Sequence, residues 1–348
     1  MIVGSAAQAE HRRSAFLTGG KAQNVREMFE MSVLQWDTDQ PEILRRLQNR
    51  AKLKICCKTL SEPEFVQSWI NHHSAIVGPQ NLIIADNGSS DAATLDVYRR
   101  AAPDITIFRF SGVHNDIHWH PRFRPLFDRL RETVEFFSFV DVDERLVWID
   151  TKRWFADERI LDCLKERGAI YPATWLINAI GRMDQFTLLD TERRRNFSNN
   201  LKWGKPILPP ELIAAQSGIH NIQYAGSRFS ASCSSNLFLL HLTQFPDQRI
   251  AANVRKLANR SLVDHAIDPE AVSRMDFSRH PDPAVLRFQK EVAEMIAYLK
   301  GDKSIPDSET EVIELGRGGT VVFSNADARG IFSKFIEDGP SIIVKSFK

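Results

Sequence analysis

Cysteine is scarce: the 348 residues hold four, Cys56, Cys57, Cys163 and Cys233, two of them adjacent and none in CxxC spacing. That pattern suggests neither a disulfide framework nor a zinc knuckle. An excess of charge of one sign is also lacking. Lys and Arg number 45 against 44 Asp and Glu, a formal net charge of +1, so nucleic acid is not the default partner. Long hydrophobic runs are missing too. Stretches such as Phe136 to Val140 and Leu237 to Leu240 fall far short of the ~20 apolar residues that cross a bilayer. After Met1 the residues are small and mixed, His11 to Arg13 is polar and basic, and no run of about 7–15 apolar residues follows as a secretory h-region requires. These absences lead us to expect no transmembrane segment and a reducing, cytoplasmic setting, with peripheral contact at the inner face of the membrane left open.

What is present is a hydrophobic share of 43%, ample for a sizeable core. The length fits two domains of roughly 150 residues or one large α/β domain with appendages. Apolar runs alternate with helical periodicity. Lys52 to Thr59 reads as a strand, and Ser61 as a helix N-cap before Pro63, Phe65, Val66, Trp69 and Ile70. Asn81 to Ala85 is a second strand, the turn cluster Asp86 to Asp91 follows, and Ala92 to Arg100 is helical. Ile105 to Phe110, the helix Phe123 to Val134 and the strand Phe136 to Val140 continue the series. Such alternation predicts a mostly parallel sheet, whose ligands bind beyond the carboxyl ends of its strands. Here those ends carry Thr59 to Glu62, Asp86 to Asp91 and Asp141 to Glu144.

Beyond Asp150 the pattern loosens. A helix is expected over Ile160 to Arg167, strands over Ala169 to Ile177 and Ser235 to His241, and a helix over Pro283 to Lys300. Glu311 to Ser324 reads as a strand pair turned by Gly316, Gly318 and Gly319. A phosphate loop there would need a Lys-Ser/Thr ending between strand and helix, and both are absent. We divide the chain into a helical N-terminal extension (1–50), a main domain (51–270) and a C-terminal helical and strand extension (271–348).

Asp141-Val142-Asp143-Glu144 follows a fully apolar strand. Read as extended backbone, it places Asp141 and Asp143 on one side, about 6–7 Å apart by the strand rise. Two such carboxylates form a hard oxygen site suited to Mg²⁺ or Mn²⁺ bridging phosphate oxygens. Asp86, ending another strand, is placed to accept hydrogen bonds from the N–H of a base. Read blandly, these are solvated turn formers and an Asx turn, with Ser90 or Asp91 capping the next helix.

Together the segments KICCKTLSEPEFVQSWINHHSAIVG (Lys54 to Gly78), NLIIADNGSSDAATLDVY (Asn81 to Tyr98), FFSFVDVDERLVW (Phe136 to Trp148), KWGKPILPPELIAAQSGIHN (Lys202 to Asn221) and LLHL (Leu239 to Leu242) resemble nucleotide-sugar glycosyltransferases of the GT-A fold, in the family 2-like and family 92-like group. The resemblance spans roughly residues 52–245. It implies a Rossmann-like, mostly parallel sheet flanked by helices, a nucleoside-diphosphate sugar as donor, Mn²⁺ or Mg²⁺ as cofactor, and a saccharide or lipid-linked saccharide as acceptor, in surface polysaccharide or glycan assembly. It further implies that Thr59 and Glu62 flank the nucleotide, that Asp86 contacts the base, and that Asp141 lies near ribose, phosphate and metal. Asp143 would bind the cation, with a late histidine, His220 first and His241 second, as a further ligand. Lys202, Lys205 or Arg193 to Arg195 would face the leaving diphosphate.

Inversion needs one more carboxylate to deprotonate the acceptor. No Glu-Asp base motif stands out, and Glu211, Asp184 and Asp264 are the candidates. His114, His118 and His120 fall in a segment broken by Asn115-Asp116 and Pro121, and read as a loop bordering the donor site rather than a metal cluster. His72-His73 reads as packing. Trp119, Trp175 and Trp203 are candidate platforms for a sugar ring. The rival enzymes fit less well: a nucleotidyltransferase lacks its early Gly-rich loop with a Lys, and a dehalogenase-type phosphatase wants a small residue where Arg145 stands. A non-catalytic sugar-nucleotide or glycan-binding protein of the same fold is the alternative from another class.

Overall fold

The computed structural model describes residues 33–167, 170–171, 173–190, 195–196, 205–213, 236–302 and 311–346, the side chains at 189–190, 195–196 and 338–346 excepted. Its first half follows the expected alternation. β1 (Leu34–Gln35) and α1 (Trp36–Arg46) lead into β2 (Ala51–Thr59), α2 (Pro63–Val77), β3 (Leu82–Asp86), α3 (Ala92–Ala101), β4 (Thr106–Arg109), the short α4 (Asp116–Trp119), α5 (Arg124–Thr133) and β5 (Val134–Phe139). The five strands form one parallel sheet in the order β1-β4-β3-β2-β5. The chain therefore winds outward from β2 to β4 and then returns to the far side of β2. The reversal leaves a crevice at the carboxyl ends of β2 and β5, the place where open α/β sheets take their ligands.

Both faces of this sheet are covered, as parallel sheets require. Alternation along β2 sends Leu53, Ile55 and Cys57 to the face under α2 and α3, with Val66, Trp69, Leu95 and Tyr98. Cys56 goes to the opposite face, with Trp36, Ile43, Leu126 and Leu130 from α1 and α5. The adjacent thiols thus point apart, and burial pushes both well up from the ordinary thiol range. Residues 34–46, expected as part of a separate extension, belong to this layer: Leu34 pairs with Phe108, and the Trp36 ring lies 5.3 Å from that of Phe108.

Lys54 shares the α1 face and is fully buried. Its ammonium donates to the carbonyls of Leu47 (2.6 Å) and Asn49 (2.7 Å), just past the end of α1, and to Thr133 Oγ1 (3.2 Å). It closes the helix where backbone donors run out. Burial lowers its pKa from 10.5 to about 8. Between those values the unfolded chain binds more protons than the folded one, so this group's contribution to stability is lowest and constant below pH 8 and grows as pH rises from there toward 10.5. The difference in unfolding free energy between wild type and Lys54→Met is therefore expected to rise by about 3 kcal/mol over that window, read from urea titrations at several pH values. A difference that stays flat would show that Lys54 titrates normally.

The second half builds a second sheet, of which the strands at Thr174–Asn178 and Leu237–His241 and the hairpin Val312–Gly316 with Thr320–Phe323 fall where strands were expected. β6 (Glu144–Ile149), β7 (Trp154–Phe155), α6 (Arg159–Cys163), β8 (Thr174–Asn178), β9 (Gln185–Thr187), the small antiparallel pair β10 (Leu189–Asp190) and β11 (Arg195–Asn196), β12 (Leu237–His241), α7 (Pro246–Ala258), α8 (Pro269–Ser273), α9 (Pro283–Leu299), β13 (Val312–Gly316), β14 (Thr320–Phe323) and α10 (Ala326–Ser346) follow in turn. Seven of the strands order as β14-β13-β9-β8-β12-β6-β7, antiparallel except between β8 and β12. The hairpin expected at Gly316 to Gly319 is there, with Gly318 and Gly319 at φ +80° and +84°. A Cβ at Gly319 would meet the Trp154 carbonyl at 2.8 Å, so the turn cannot take a larger residue there without shifting. Phe332 and Phe335 of α10 cover Phe238 on this sheet. Residues α7 to α9 pack into a separate apolar cluster around Val254, Leu257, Val285, Phe288 and Val292. Among the described residues no helix is long and apolar enough to cross a membrane.

Candidate functional site

The crevice is framed by three aligned strand ends, because Thr59 pairs with Asp86 and Asp86 with Arg109 in register. Asp86 is fully buried. Its carboxylate accepts from Gly88 N (3.3 Å), from Ser89 N and Oγ, from Arg109 Nε (3.0 Å) and from Tyr98 OH (3.4 Å). The DNGSSD cluster is thus an Asx-type turn with Gly88 at φ +94°, and Asp91 is the cap, accepting from Thr94 N at 2.7 Å. Ser61 is not the N-cap of α2: it takes φ +53° and donates its N–H to Ser89 Oγ (2.7 Å), which leaves the cap position to Glu62.

The acidic motif is not extended. Asp141 to Glu144 is a tight turn closed by Glu144 N to Asp141 O (2.9 Å), and it is where the chain leaves the first sheet for the second. The carboxylate of Glu144 folds back to accept from Asp141 N (2.8 Å) and from Trp175 Nε1 (2.6 Å). Arg145, 5% exposed, turns its guanidinium back under the motif and donates to the carbonyls of Val142 (2.8 Å), Glu144 (2.7 Å) and Phe65 (3.2 Å) and to Ser68 Oγ (2.6 Å). On the β12 side, Leu242 N donates to Asp143 O at 2.9 Å. The turn is therefore fixed from α2, β8 and β12 at once.

Each carboxylate in the turn has its own electrostatic partner. Lys205, 1% exposed, sends its ammonium to Asp141, and lies 3.8 Å from Glu144. Burial alone would lower the Lys205 pKa, but the Asp141 and Glu144 charges raise it, so the ammonium stays charged. Burial pushes Glu144 up. His241 Nε2 lies 3.6 Å from Asp143 Oδ2, with its ring stacked on Trp175 (5.0 Å between centroids, 19° between planes). Burial would raise Asp143, yet the His241 charge and hydrogen bond take it down to about 2. His241 in turn is raised by Asp143 in spite of its burial.

Thr59 is buried and donates Oγ1 to Glu62 Oε2 (3.2 Å). Glu62 is half-buried, and burial, with Asp143 and Asp141 nearby, pushes it up to about 7. It lines a depression with Asp143, Phe65, Phe245, Arg249 and Lys256, between α2 and α7. Asp184 and Glu211 are not among the residues lining it. Asp184 is exposed and pairs with Arg182 at 3.2 Å, and Glu211 is exposed in a single 3₁₀ turn, Pro210–Leu212. His220, Lys202, Trp203, Arg193 and Arg194 lie outside the described residues. His72 and His73 join α2 to β6 through the Leu146 carbonyl (2.7 Å) and N–H (3.3 Å), the packing role expected of them.

Sequence reading missed Arg145 and Lys58 beside the acidic turn, and expected Trp175 as a sugar platform, whereas its indole donates to Glu144 and stacks on His241. Lys58 precedes Thr59 at the end of β2, and donates to Asn115 Oδ1 and lies 2.9 Å from His118 Nε2. The signal for it was the histidine-rich segment after β4, which is brought over the crevice.

A divalent cation finds suitable donors at Asp143 and His241, a hard carboxylate beside a borderline imidazole nitrogen. Among the described residues no three metal-ligating side chains converge. The donor set therefore fits an ion held by one or two protein groups and completed by phosphate oxygens and water, as Mg²⁺ commonly is.

No family model and no curated protein matches the chain. Among solved structures it is similar to the mannosyltransferase PcManGT from Pyrobaculum calidifontis in complex with GDP-Man and Mn²⁺, at a TM-score of 0.32 and 12% identity over 82% of this chain and 87% of that one. It is also similar to S. aureus TarS 1–349 in complex with UDP, at a TM-score of 0.30 and 12% identity over 79% of this chain and 99% of that one. At TM-scores of this size the likeness carries no weight by itself, and the site's own geometry must identify what it does.

Proposed function

We propose that this chain is a GT-A-like glycosyltransferase that moves a sugar from a nucleoside-diphosphate donor to a saccharide or lipid-linked acceptor. The observation that carries the reading is the placement of the Asp141 to Glu144 turn at the β2/β5 reversal of a parallel sheet, with Asp143 and His241 side by side. Asp143 and His241 would hold Mn²⁺ or Mg²⁺, which when bound neutralises charge on the donor's diphosphate. Lys205 keeps Asp141 and Glu144 from repelling an incoming anion, and Arg145 fixes the turn that presents them. Glu62 and Thr59 border the nucleotide, Asp86 shapes the adjoining turn beside the base, and the depression between α2 and α7 lies open for the transferred sugar or the acceptor.

Thermal unfolding with a panel of nucleoside diphosphates, with and without Mn²⁺, tests the reading. One nucleotide is expected to raise the melting temperature only when Mn²⁺ is present, and its sugar conjugate to be hydrolysed slowly to the free diphosphate. No response to any nucleotide would reject the reading. A nucleotide response without turnover of the conjugate would favour the non-catalytic binding protein, a reading helped by the placement of Asp184 and Glu211 away from the depression.

A further inference from the structure

We infer that Lys58, aimed by Asn115 and His118, is the cationic contact for the diphosphate of the donor, an assignment that rests on the nucleotide-sugar reading above. Its position comes from the sheet. Lys58 pairs with Ala85 on one side, and on the other Cys56 pairs with Phe139 and accepts the N–H of Val140 (2.9 Å). The Lys58 side chain therefore leaves β2 level with the start of the acidic turn, at the crevice where the winding reverses.

Its partners leave its charge uncompensated by hydrogen bonding. Asn115 offers an amide oxygen, and His118 a ring nitrogen at 2.9 Å. His118 is 4% exposed with its ring against Phe139, and burial holds its pKa near 3, so the ring is neutral and its Nε2 accepts from the ammonium. Asp141, the acid whose field favours the Lys58 ammonium most, is ion-paired with Lys205. Burial lowers Lys58 itself to about 8, which still leaves it mostly charged at neutral pH.

A half-buried ammonium held by two neutral groups is costly unless an anion completes it. The same loop supplies a second unfinished group, since His114 Nδ1 is buried with no hydrogen-bond partner. The Asn115 and His118 side chains thus orient the Lys58 ammonium without supplying a counter-charge, and the arrangement is completed by an anion. A diphosphate suits it chemically: two or more negative charges, of which a cation at Asp143 would meet part and a compact lysine charge the remainder.

The test is calorimetric titration, in Mn²⁺, of the nucleoside diphosphate that stabilises the wild type and of the same nucleoside without phosphate. The proteins are wild type, Lys58→Met, Lys58→Gln and Lys58→Arg. Lys58→Met and Lys58→Gln are expected to weaken the diphosphate by about tenfold to a hundredfold, the size of a hydrogen bond to a charged group, while nucleoside affinity stays as in wild type. Lys58→Arg should recover part of the loss. Lys58→Gln keeps donors for Asn115 and His118, so it reads the charge even if Lys58→Met folds poorly. Undiminished diphosphate affinity in both neutral variants, or an equal loss for diphosphate and nucleoside, overturns the assignment while leaving the nucleotide-sugar reading standing. A wild type that binds no nucleotide overturns both.

Discussion

Replacing Asp143 by Asn is expected to abolish Mn²⁺-dependent nucleotide binding and to cut donor turnover by roughly 10²–10³-fold, the range seen when a principal electrostatic group is removed from an active site. The fold should survive. Asp143 is bonded to β12 through its backbone carbonyl, which accepts from Leu242 N, and its side chain is 23% exposed. An amide of the same shape can stay in place, but it offers a cation one weak oxygen in place of a charged pair. It also removes the field that raises His241 against its burial, so the imidazole moves back down from its raised value. Nucleotide-induced thermal shifts with and without Mn²⁺ and donor hydrolysis measured side by side check this. If Asp143→Asn binds and turns over as wild type does, the cation site is elsewhere.

That the acidic segment can be located from sequence while its conformation and surroundings cannot has a physical basis. An apolar run such as Phe136 to Val140 ending in acidic residues is a local signal, and so is DNGSSD after Leu82 to Ala85, so the β2–β5 half of the fold and its ligand-facing edge were legible. Local pattern did not say whether Asp141-Val142-Asp143 was extended. Alternating acid, apolar, acid fits a strand or a turn with Val142 tucked in, and the decision came from Arg145 and Leu242, which grip the backbone from other parts of the chain. The seven-stranded sheet was legible only at β8, β12 and the β13–β14 hairpin, for a related reason. Several of its strands are two to five residues long, such as Trp154–Phe155 and Gln185–Thr187, too short to show a period, and β9 finds its partner β13 more than a hundred residues later.

The candidate carboxylates show the limit in another way. Glu211 follows Pro209-Pro210 and Asp184 follows Gly181, which are local features of the chain, whereas lining the depression depends on which helix starts beside it. Glu62 qualifies because α2 begins there, next to the strand end that carries Thr59 and Lys58. A lysine adjoining two cysteines in an apolar strand reads as an edge residue, and only the loop bearing His118 gives Lys58 a different meaning.

The largest effect on stability is expected at Arg145. Its guanidinium is buried, and its four hydrogen-bond acceptors are three carbonyls and a hydroxyl rather than a carboxylate, so it acts as a brace and not as an ion pair. Burial lowers its pKa to about 10, which leaves it charged under ordinary conditions. Arg145→Met keeps much of the apolar stem but strands the Val142 and Glu144 carbonyls in a site with little access to water, whereas the Phe65 carbonyl keeps Ser68 Oγ (3.0 Å). Leaving such groups unpaired should cost roughly 3–5 kcal/mol of unfolding free energy, measured by urea titration at pH 7. Arg145→Lys should recover only part of that, because one ammonium cannot reach acceptors on both the turn and α2. Function should follow stability in a particular order. The brace runs from the start of α2, beside Glu62, to the turn that carries Asp141 and Asp143, so loosening it separates the two sides of the crevice. Arg145→Lys, if still folded, is expected to bind nucleotide about 10–100-fold more weakly, as when a supporting contact behind a metal ligand is removed. A variant that keeps wild-type stability and affinity would mean that the backbone alone holds the acidic turn.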